Sequence, residues 1–88
     1  MKILYKKKFA KAYRKLSPKN QLKVDATIQK FHENVRDSAL RNHSLKWSYL
    51  WFRSLDVTGD IRIIFRELSD GSYEVVEMVN IGTHSQLY

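Results

Sequence analysis

Two histidines, His43 and His84, give this chain its clearest candidates for acid–base chemistry. His43 precedes the first of three strand-like runs, and His84 follows the last. A histidine titrates near neutral pH and can therefore take up or release a proton there. Asp56 and Asp60 stand on either side of the turn between the first two runs, where a carboxylate could hold an imidazole in one tautomer. These four residues indicate a site for proton transfer.

Basic residues of the same region could bind a phosphate group, namely Lys46, Arg53, Arg62 and Arg66. Arginine meets phosphate oxygens in fork geometry, whereas lysine acts as a point charge. Cleavage of RNA needs three kinds of group, which are a base for the ribose 2′-hydroxyl, cations for the phosphate and an acid for the leaving oxygen. Simpler interpretations stay open, since Asp60 could only support its turn and the arginines could form the polar face of a strand. His43 and His84, taken separately, could each be an ordinary surface histidine.

Neither metal nor nucleotide cofactor chemistry is indicated. The three histidines and the scattered carboxylates lack the close spacing of zinc ligands, and we interpret His32, in a predicted helix, as an ordinary surface residue. Gly59, Gly71 and Gly82 are too far apart to form a phosphate-binding glycine loop. The absence of cysteine excludes thiolate chemistry and disulfides. We therefore expect no metal and no other cofactor.

Positive charge is concentrated near the N-terminus. The chain has 16 Lys and Arg against 9 Asp and Glu, which gives a formal net charge of +7. Ten of these cations lie in the first thirty residues, where Asp25 is the single carboxylate. This asymmetry favours a polyanionic partner, nucleic acid first and an acidic protein second. The alternative is a basic surface that only keeps the protein soluble.

Two amphipathic helices should carry most of that charge. After a short first strand in "KILY", the segment "KKKFAKAYRKL" places Phe9, Tyr13 and Leu16 at helical spacing. In "SPKNQLKVDATIQKFHENV", Ser17 and Pro18 are typical of a helix N-cap followed by the first helical position. The apolar residues of this segment recur at helical spacing, namely Val24, Ile28, Phe31 and Val35. Because only a residue or so separates the two segments, we predict an antiparallel helical hairpin with its basic side outward.

Strand patterns occupy the second half of the chain. Residues 36–48 have no sustained period and are interpreted as a connection. The runs "LWFRSLDV" and "IRIIFREL" flank a turn at Thr58, Gly59 and Asp60, "SDGS" is a second turn, and "YEVVEMVNIG" is the last strand. If the strands pair as consecutive hairpins, both outer strands neighbour the central one. His43 and His84 would then approach one rim of the sheet.

These elements predict a single α+β domain over residues 1–88, with the helical hairpin packed on a curved antiparallel sheet of three to four strands in the order (β)ααβββ. No segment has the length of a signal-peptide core or a membrane span, so we expect a cytoplasmic protein without a membrane partner. Gly82 should release the chain from the last strand, which would let His84 and Tyr88 turn back over the sheet towards Arg62 and Asp60.

The motifs "NHSLK", "FRSLDVTGDIRIIFREL" and "VNIGTHSQLY" occur in this order after a basic helical hairpin. In this arrangement the chain resembles the RelE/ParE superfamily of bacterial toxins, and most closely its YafQ-like branch. The resemblance covers the whole chain, with its specific part from His43 to Tyr88. It implies an endoribonuclease (mRNA interferase) of a type II toxin–antitoxin pair, which cleaves mRNA in the ribosomal A site and is held inactive by a cognate acidic antitoxin.

Site residues follow from the resemblance position by position. His43 matches the histidine of the family's "H-P-L-x-G" motif, Asp60 the aspartate before the central strand, and His84 the histidine of the closing "G-T-H". Tyr88 matches a terminal aromatic that would position the cleaved nucleotide. Arg62 falls where related toxins place an arginine that contacts the scissile phosphate. The resemblance thus implies metal-independent attack of the 2′-hydroxyl on the adjacent phosphate.

Departures from the family pattern lie close to these residues. Ser44 and Trp47 replace a proline and a glycine, and a tryptophan at a glycine position is strained if φ is positive. Trp47 could stack on a base or simply pack. Asp56, which we also include among the catalytic candidates, stands where YafQ-like toxins often carry a histidine. Two other functions stay open, a non-enzymatic gyrase inhibitor like the ParE branch and a plain basic binding module.

Overall fold

Two helices follow a short first strand. The computed structural model describes residues 1–88 and places β1 at Lys2–Tyr5, α1 at Lys7–Arg14 and α2 at Pro18–Glu33. The side chain of Ser17 accepts a hydrogen bond from the backbone N–H of Asn20 at 3.2 Å, which confirms the predicted N-cap. No helix combines the length and the apolar character that crossing a membrane requires.

The apolar stripes of both helices face a common core. Phe9 of α1 and Val24 and Phe31 of α2 are buried there, and the next residues of each predicted stripe pack against them. Tyr13 and Asp25 join the two helices through a hydrogen bond of 2.8 Å from the phenol to the carboxylate. The periodicity of the sequence therefore located both buried helix faces correctly.

Five strands form one mixed sheet, in the spatial order β1-β5-β4-β3-β2. The remaining four strands are β2 at His43–Ser44, β3 at Arg53–Asp56, β4 at Ile61–Glu67 and β5 at Val75–Thr83. A short terminal helix, α3, covers His84–Leu87. Since β3 and β5 both pair antiparallel with β4, the predicted central position of the "IRIIF" strand is confirmed.

The sheet is larger than the predicted three to four antiparallel strands. β1 pairs parallel with β5, with Lys2 opposite Val75, and β2 adds a two-residue edge strand within the segment interpreted as a connection. The parallel pairing joins the two ends of the chain, so no local turn signals it. A two-residue strand is too short to show a period of two. The α+β class and the (β)ααβββ core of the prediction are nevertheless confirmed.

Alternate residues of β4 divide the sheet into two faces. Ile61, Ile63 and Phe65 point into the core beneath the helices, and Arg62 points to the opposite face. Phe65 meets Phe31 edge to face, with ring centroids 5.0 Å apart. This division leaves the face opposite the helices free to carry polar side chains.

The turn between β4 and β5 is organised by Glu67. Burial opposes the ionisation of this carboxylate, but hydrogen bonds from Ser69, Gly71 and Tyr73 outweigh it and lower the Glu67 pKa. Gly71 has φ 88°, and the left-handed conformation that it adopts suits glycine. The turn is thereby held in the register that pairs β5 with β4.

Candidate functional site

Sheet register brings three of the predicted site residues, His43, Asp56 and Arg62, onto one face. His43 on β2 lies opposite Ser54 on β3, Asp56 on β3 lies opposite Arg62 on β4, and Arg62 lies opposite Gly82 on β5. Ser54 and Asp56 are two positions apart on β3 and therefore share a face. Residues from four elements thus converge beside the point where the chain leaves β5.

A cleft of about 250 Å³ opens on this face. It contains five of the nine predicted site residues together with three others, and its lining consists of Arg41, His43, Leu45, Ser54, Asp56, Arg62, His84 and Tyr88. Both histidines therefore line one cavity, as their flanking positions around the strands predicted. The cleft combines imidazoles, a carboxylate and guanidinium groups within one open space.

The tautomer of His43 is fixed by the backbone. Its Nδ1 lies 2.6 Å from the carbonyl oxygen of Arg41, and because a carbonyl can only accept, Nδ1–H must donate. In the neutral imidazole Nε2 is then left as an acceptor. Arg41 has a φ of 47°, a left-handed conformation at the end of the 3₁₀ turn Ser38–Leu40. A neutral His43 in this position can therefore take a proton at Nε2.

Asp56 anchors two arginines at the cleft. Its Oδ1 lies 3.0 Å from Nε of Arg62, and its Oδ2 lies 3.5 Å from Nε of Arg41. The side chains of Asp56 and Arg62 are only 15% and 20% exposed, so solvent screens this pair less than a surface pair. Nη1 of Arg62 also donates to the carbonyl of Thr58 at 2.9 Å, while Nη2 donates no hydrogen bond within the chain. Asp56 and Thr58 thus orient a guanidinium that keeps donor capacity for a ligand.

The position of His84 is set by a capping box. Thr83 accepts a hydrogen bond from the backbone N–H of Gln86, and the side chain of Gln86 accepts one from the N–H of Thr83. His84 is consequently the first residue of α3. The sequence "T-H-S-Q" contains this capping signal, and Thr83 with Gln86 could have been recognised from it.

Gly82 has a different role from the predicted one. It remains paired within β5, opposite Arg62, and the chain leaves the strand after Thr83. A Cβ atom at Gly82 would lie 3.1 Å from Oε1 of Gln86 and 3.3 Å from a methyl carbon of Leu87. Gly82 therefore lies where α3 packs closely over the end of β5, and a side chain there would require Gln86 and Leu87 to shift by a few tenths of an ångström.

The last residue belongs to an aromatic cluster at the cleft. The rings of Tyr88 and His84, one helical turn apart, have centroids 4.8 Å from each other, and Tyr49 meets Tyr88 edge to face at 5.4 Å. The hydroxyl of Tyr49 donates to the carbonyl of Leu87 at 2.6 Å. The C-terminus is thus folded back against the sheet as expected, through contacts with a loop that the sequence did not identify.

Four predicted site residues do not line the cleft. Asp60 is exposed in the turn before β4, where its N–H donates to Thr58. Arg53 lies on the other face of β3 and donates to Asn42 at 2.7 Å, and Lys46 is exposed in the following loop. Arg66, farther along β4, pairs with Glu77 at 2.9 Å.

Arg41 and Ser54 belong to the cleft but were not among the predicted residues. Arg41 lies in the segment without periodicity, so no pattern pointed to it. Ser54 is fully buried, and its hydroxyl has no hydrogen-bond partner within the chain. A buried hydroxyl is rarely left unpaired, so its position beneath the cleft marks a polar site and not only a packing site.

The cleft has the groups required for proton transfer beside a bound anion. Two imidazoles line it, one with a defined acceptor nitrogen, and Arg41 and Arg62 supply positive charge. No group of three or more histidine, aspartate or glutamate side chains has the arrangement of a metal site. The geometry therefore suits acid–base chemistry on a phosphate ester.

Comparison with known proteins identifies the fold. No family model and no curated protein matches the sequence. Among solved structures, YafQ from E. coli superposes with a TM-score of 0.79 at 20% identity over 98% of this chain and 96% of that one. A YoeB/ParE toxin from Agrobacterium tumefaciens gives 0.76 at 17% identity, over 96% and 99% of the two chains.

A third match is YafQ in the E. coli DinJ-YafQ toxin-antitoxin complex, with a TM-score of 0.74 at 20% identity over 98% of this chain and 94% of that one. Sequence identities of this size establish shape only, but in all three cases the shape agrees over nearly the whole length of both chains. The chain therefore has the RelE/ParE toxin fold, the one that its three ordered sequence motifs predicted.

Proposed function

We propose that this protein is the toxin of a type II toxin–antitoxin pair and acts as an endoribonuclease on mRNA in the ribosomal A site. The observation that carries the proposal is the cleft in which His43 and His84 meet Arg62, on a fold shared with YafQ. A gyrase inhibitor or a plain binding module would not require two histidines in one cavity with an oriented arginine.

The proposed reaction is an intramolecular displacement at phosphorus. Nε2 of His43 accepts the proton of the ribose 2′-hydroxyl, and the 2′-oxygen forms a bond to the adjacent phosphorus. The bond from phosphorus to the 5′-oxygen of the next nucleotide breaks, and protonated His84 supplies a proton to that oxygen. The products are a 2′,3′-cyclic phosphate and a 5′-hydroxyl, so atoms and charge balance without a cofactor.

Cations and the terminal aromatic complete this mechanism. Nη2 of Arg62, which has no partner within the chain, can donate to a phosphate oxygen whose charge grows as the new bond forms. Asp56 keeps that guanidinium in place and is thus a positioning residue. Tyr88 is half exposed beside His84 and can hold the ring of the nucleotide being cleaved.

The charge of the chain supports both proposed partners. With a formal net charge of +7, the basic helices can contact the phosphates of ribosomal RNA without reading sequence. An acidic antitoxin would neutralise the same surface. The match to a toxin in the E. coli DinJ-YafQ toxin-antitoxin complex supports the existence of such a partner.

Cleavage on programmed ribosomes tests the proposal. New mRNA 5′ ends are mapped after adding wild type, His84→Ala or the control His32→Ala, whose histidine is exposed on α2. Wild type and the control should cut in the A site, while His84→Ala should cut about 100- to 10,000-fold more slowly, the usual contribution of a general acid. Growth arrest by wild type without A-site cuts would contradict the proposal and favour an inhibitor.

A further inference from the structure

The loop from Lys46 to Phe52 exposes large apolar side chains beside the cleft. Trp47 is 90% exposed, Trp51 82% and Leu50 55%. Neither indole forms a hydrogen bond or a ring contact within the chain, although Tyr49 of the same loop does both. A patch of this kind on a small protein usually marks an interaction surface.

The loop is held in a fixed shape by its own backbone and by α3. The N–H of Leu45 donates to the carbonyl of Phe52 at 2.9 Å and closes the loop, and the N–H of Leu50 donates to the carbonyl of Trp47 at 3.0 Å. Tyr49 then attaches the loop to Leu87 and Tyr88. The tryptophans are therefore presented on a rigid support, which lowers the entropy lost when they bind.

Both tryptophans adopt a backbone conformation that favours glycine. Trp47 has a φ of 61° and Trp51 a φ of 77°. A bulky residue in the left-handed region is strained, and no burial of either indole offsets that strain. Strained residues of this kind occur mainly at functional sites, so the positions point to a role other than packing.

Charge and continuity indicate the class of ligand. From Ser38 to Leu55 the chain contains two arginines, a histidine and a lysine but no aspartate or glutamate. Leu45, directly before the loop, lines the cleft together with Arg41 and His43. A polyanion whose phosphate enters the cleft would continue across this surface, which carries positive charges and no negative ones.

The shape of the loop favours a ligand with flat rings, such as nucleic acid bases, over a ligand that is a protein helix. An amphipathic helix docks by inserting side chains into a groove, but neither tryptophan lines the histidine cleft or any of four other cavities of the molecule. Protruding indoles next to a cation, here Lys46 directly before Trp47, are instead typical of surfaces that bind single-stranded nucleic acids, with bases stacked on aromatic faces.

We propose that Trp47 and Trp51 are stacking platforms for the bases of single-stranded RNA next to the phosphate held in the cleft. This inference rests on the proposed function for the choice of RNA as substrate, and it adds the residues that hold the strand. It assigns the strained tryptophans a role in binding that the histidine cleft alone does not supply.

Fluorescence provides a direct test, because Trp47 and Trp51 are the only tryptophans in the chain. The full-length protein is titrated with a single-stranded 2′-O-methyl RNA oligonucleotide, which has no free 2′-hydroxyl and stays intact. A second titration uses an abasic sugar-phosphate oligomer of equal length and charge. Stacking should quench the tryptophan emission with the first oligomer and leave it nearly unchanged with the second.

Variants then measure the contribution of each ring. By anisotropy of a labelled oligonucleotide, Trp47→Gly and Trp51→Gly should each weaken RNA binding roughly 5- to 150-fold, the range found for loss of one stacked base. Leu50→Ala, which shortens an exposed side chain of the same loop that has no ring to stack, should stay within about twofold. The melting temperature of Trp47→Gly should not fall, since glycine tolerates the positive φ.

Equal quenching by the abasic oligomer would overturn the stacking proposal, and so would wild-type RNA affinity of a variant that combines Trp47→Gly with Trp51→Gly. If that variant kept its RNA affinity and lost affinity for an antitoxin, the loop would be a protein-binding surface. Since this assay involves no cleavage, its failure would leave the nuclease proposal standing, and a failure of ribosomal cleavage would leave the stacking result unaffected.

Discussion

At the scale of single residues, the geometry shows which of two aspartates lines the cleft, a distinction that the sequence alone did not allow. Asp56 contacts Arg62 and Arg41 and lines the cleft, whereas Asp60 is exposed in a turn. The sequence placed both near the histidines because they flank one hairpin. Which side chain points to the cleft depends on the β3–β4 register, which a pattern of residue types does not specify.

This difference predicts unequal effects of two matched substitutions. Asp56→Asn removes the charge that orients Arg62, so ribosomal mRNA cleavage should slow by roughly tenfold or more. Asp60→Asn should change the cleavage rate by less than about threefold, as expected for a surface residue. Cleavage rates of both variants at equal protein concentration provide the measurement. A larger loss with Asp60→Asn than with Asp56→Asn would contradict this assignment of roles.

The proton-transfer roles also depend on single contacts. In the proposed mechanism, the carbonyl of Arg41 leaves Nε2 of neutral His43 as the acceptor, which favours His43 as the base and His84 as the acid. The sequence contained both histidines but no information on tautomers. The tautomer depends on the backbone carbonyl of Arg41, a residue with left-handed backbone conformation in a segment without periodicity.

At the scale of secondary structure elements, the junction of β5 and α3 determines where His84 lies. α3 has only four residues, and it is fixed by the Thr83 capping box and by close packing over Gly82. Such a short helix has no intrinsic stability, so these contacts must hold it.

Substitution of Gly82 should therefore impair stability and activity together. In Gly82→Ala the new methyl group meets Gln86 and Leu87, and overpacking of this kind costs about 1–3 kcal/mol. Cleavage should also fall, by about tenfold, because α3 carries His84. Gly59→Ala is the matched control, since a Cβ there meets nothing within 4 Å. Thermal unfolding and cleavage of both variants test this, and equal behaviour would refute the packing role of Gly82.

The elements differ in how far the sequence specified them. α2 and β4 were predictable because a cap at Ser17, a helical repeat and a strand alternation are all local signals. The parallel β1–β5 pairing, the two-residue β2 and α3 were not predicted. Each of these depends on contacts between distant parts of the chain, or is too short to display a period.

At the scale of the whole molecule, α3 separates two surfaces of different character. One is the histidine cleft, and the other is a groove of about 450 Å³ where Lys8, Lys11 and Lys15 of α1 and the following segment face Gln86 and Leu87. The cationic helix therefore lies beside the element that carries His84. A phosphate backbone bound along α1 would be led towards the cleft.

Fold and charge were the most predictable features of the molecule, since both follow from patterns spread along the whole chain. The composition of the cleft was predictable in part, because five of its residues carry recognisable chemistry in sequence. Arg41, Ser54 and the presentation of Trp47 and Trp51 become evident only when the loops are placed in space.

The central claim is that a ribose 2′-hydroxyl is the nucleophile at this cleft. The most direct test is cleavage on ribosomes programmed with an mRNA in which the nucleotide preceding the scissile phosphate carries 2′-hydrogen in place of the hydroxyl. The natural mRNA should yield a 2′,3′-cyclic phosphate and a 5′-hydroxyl, and the substituted mRNA should not be cut at that bond. Cleavage of the substituted mRNA at a comparable rate, or products with a 3′-hydroxyl and a 5′-phosphate, would contradict the claim.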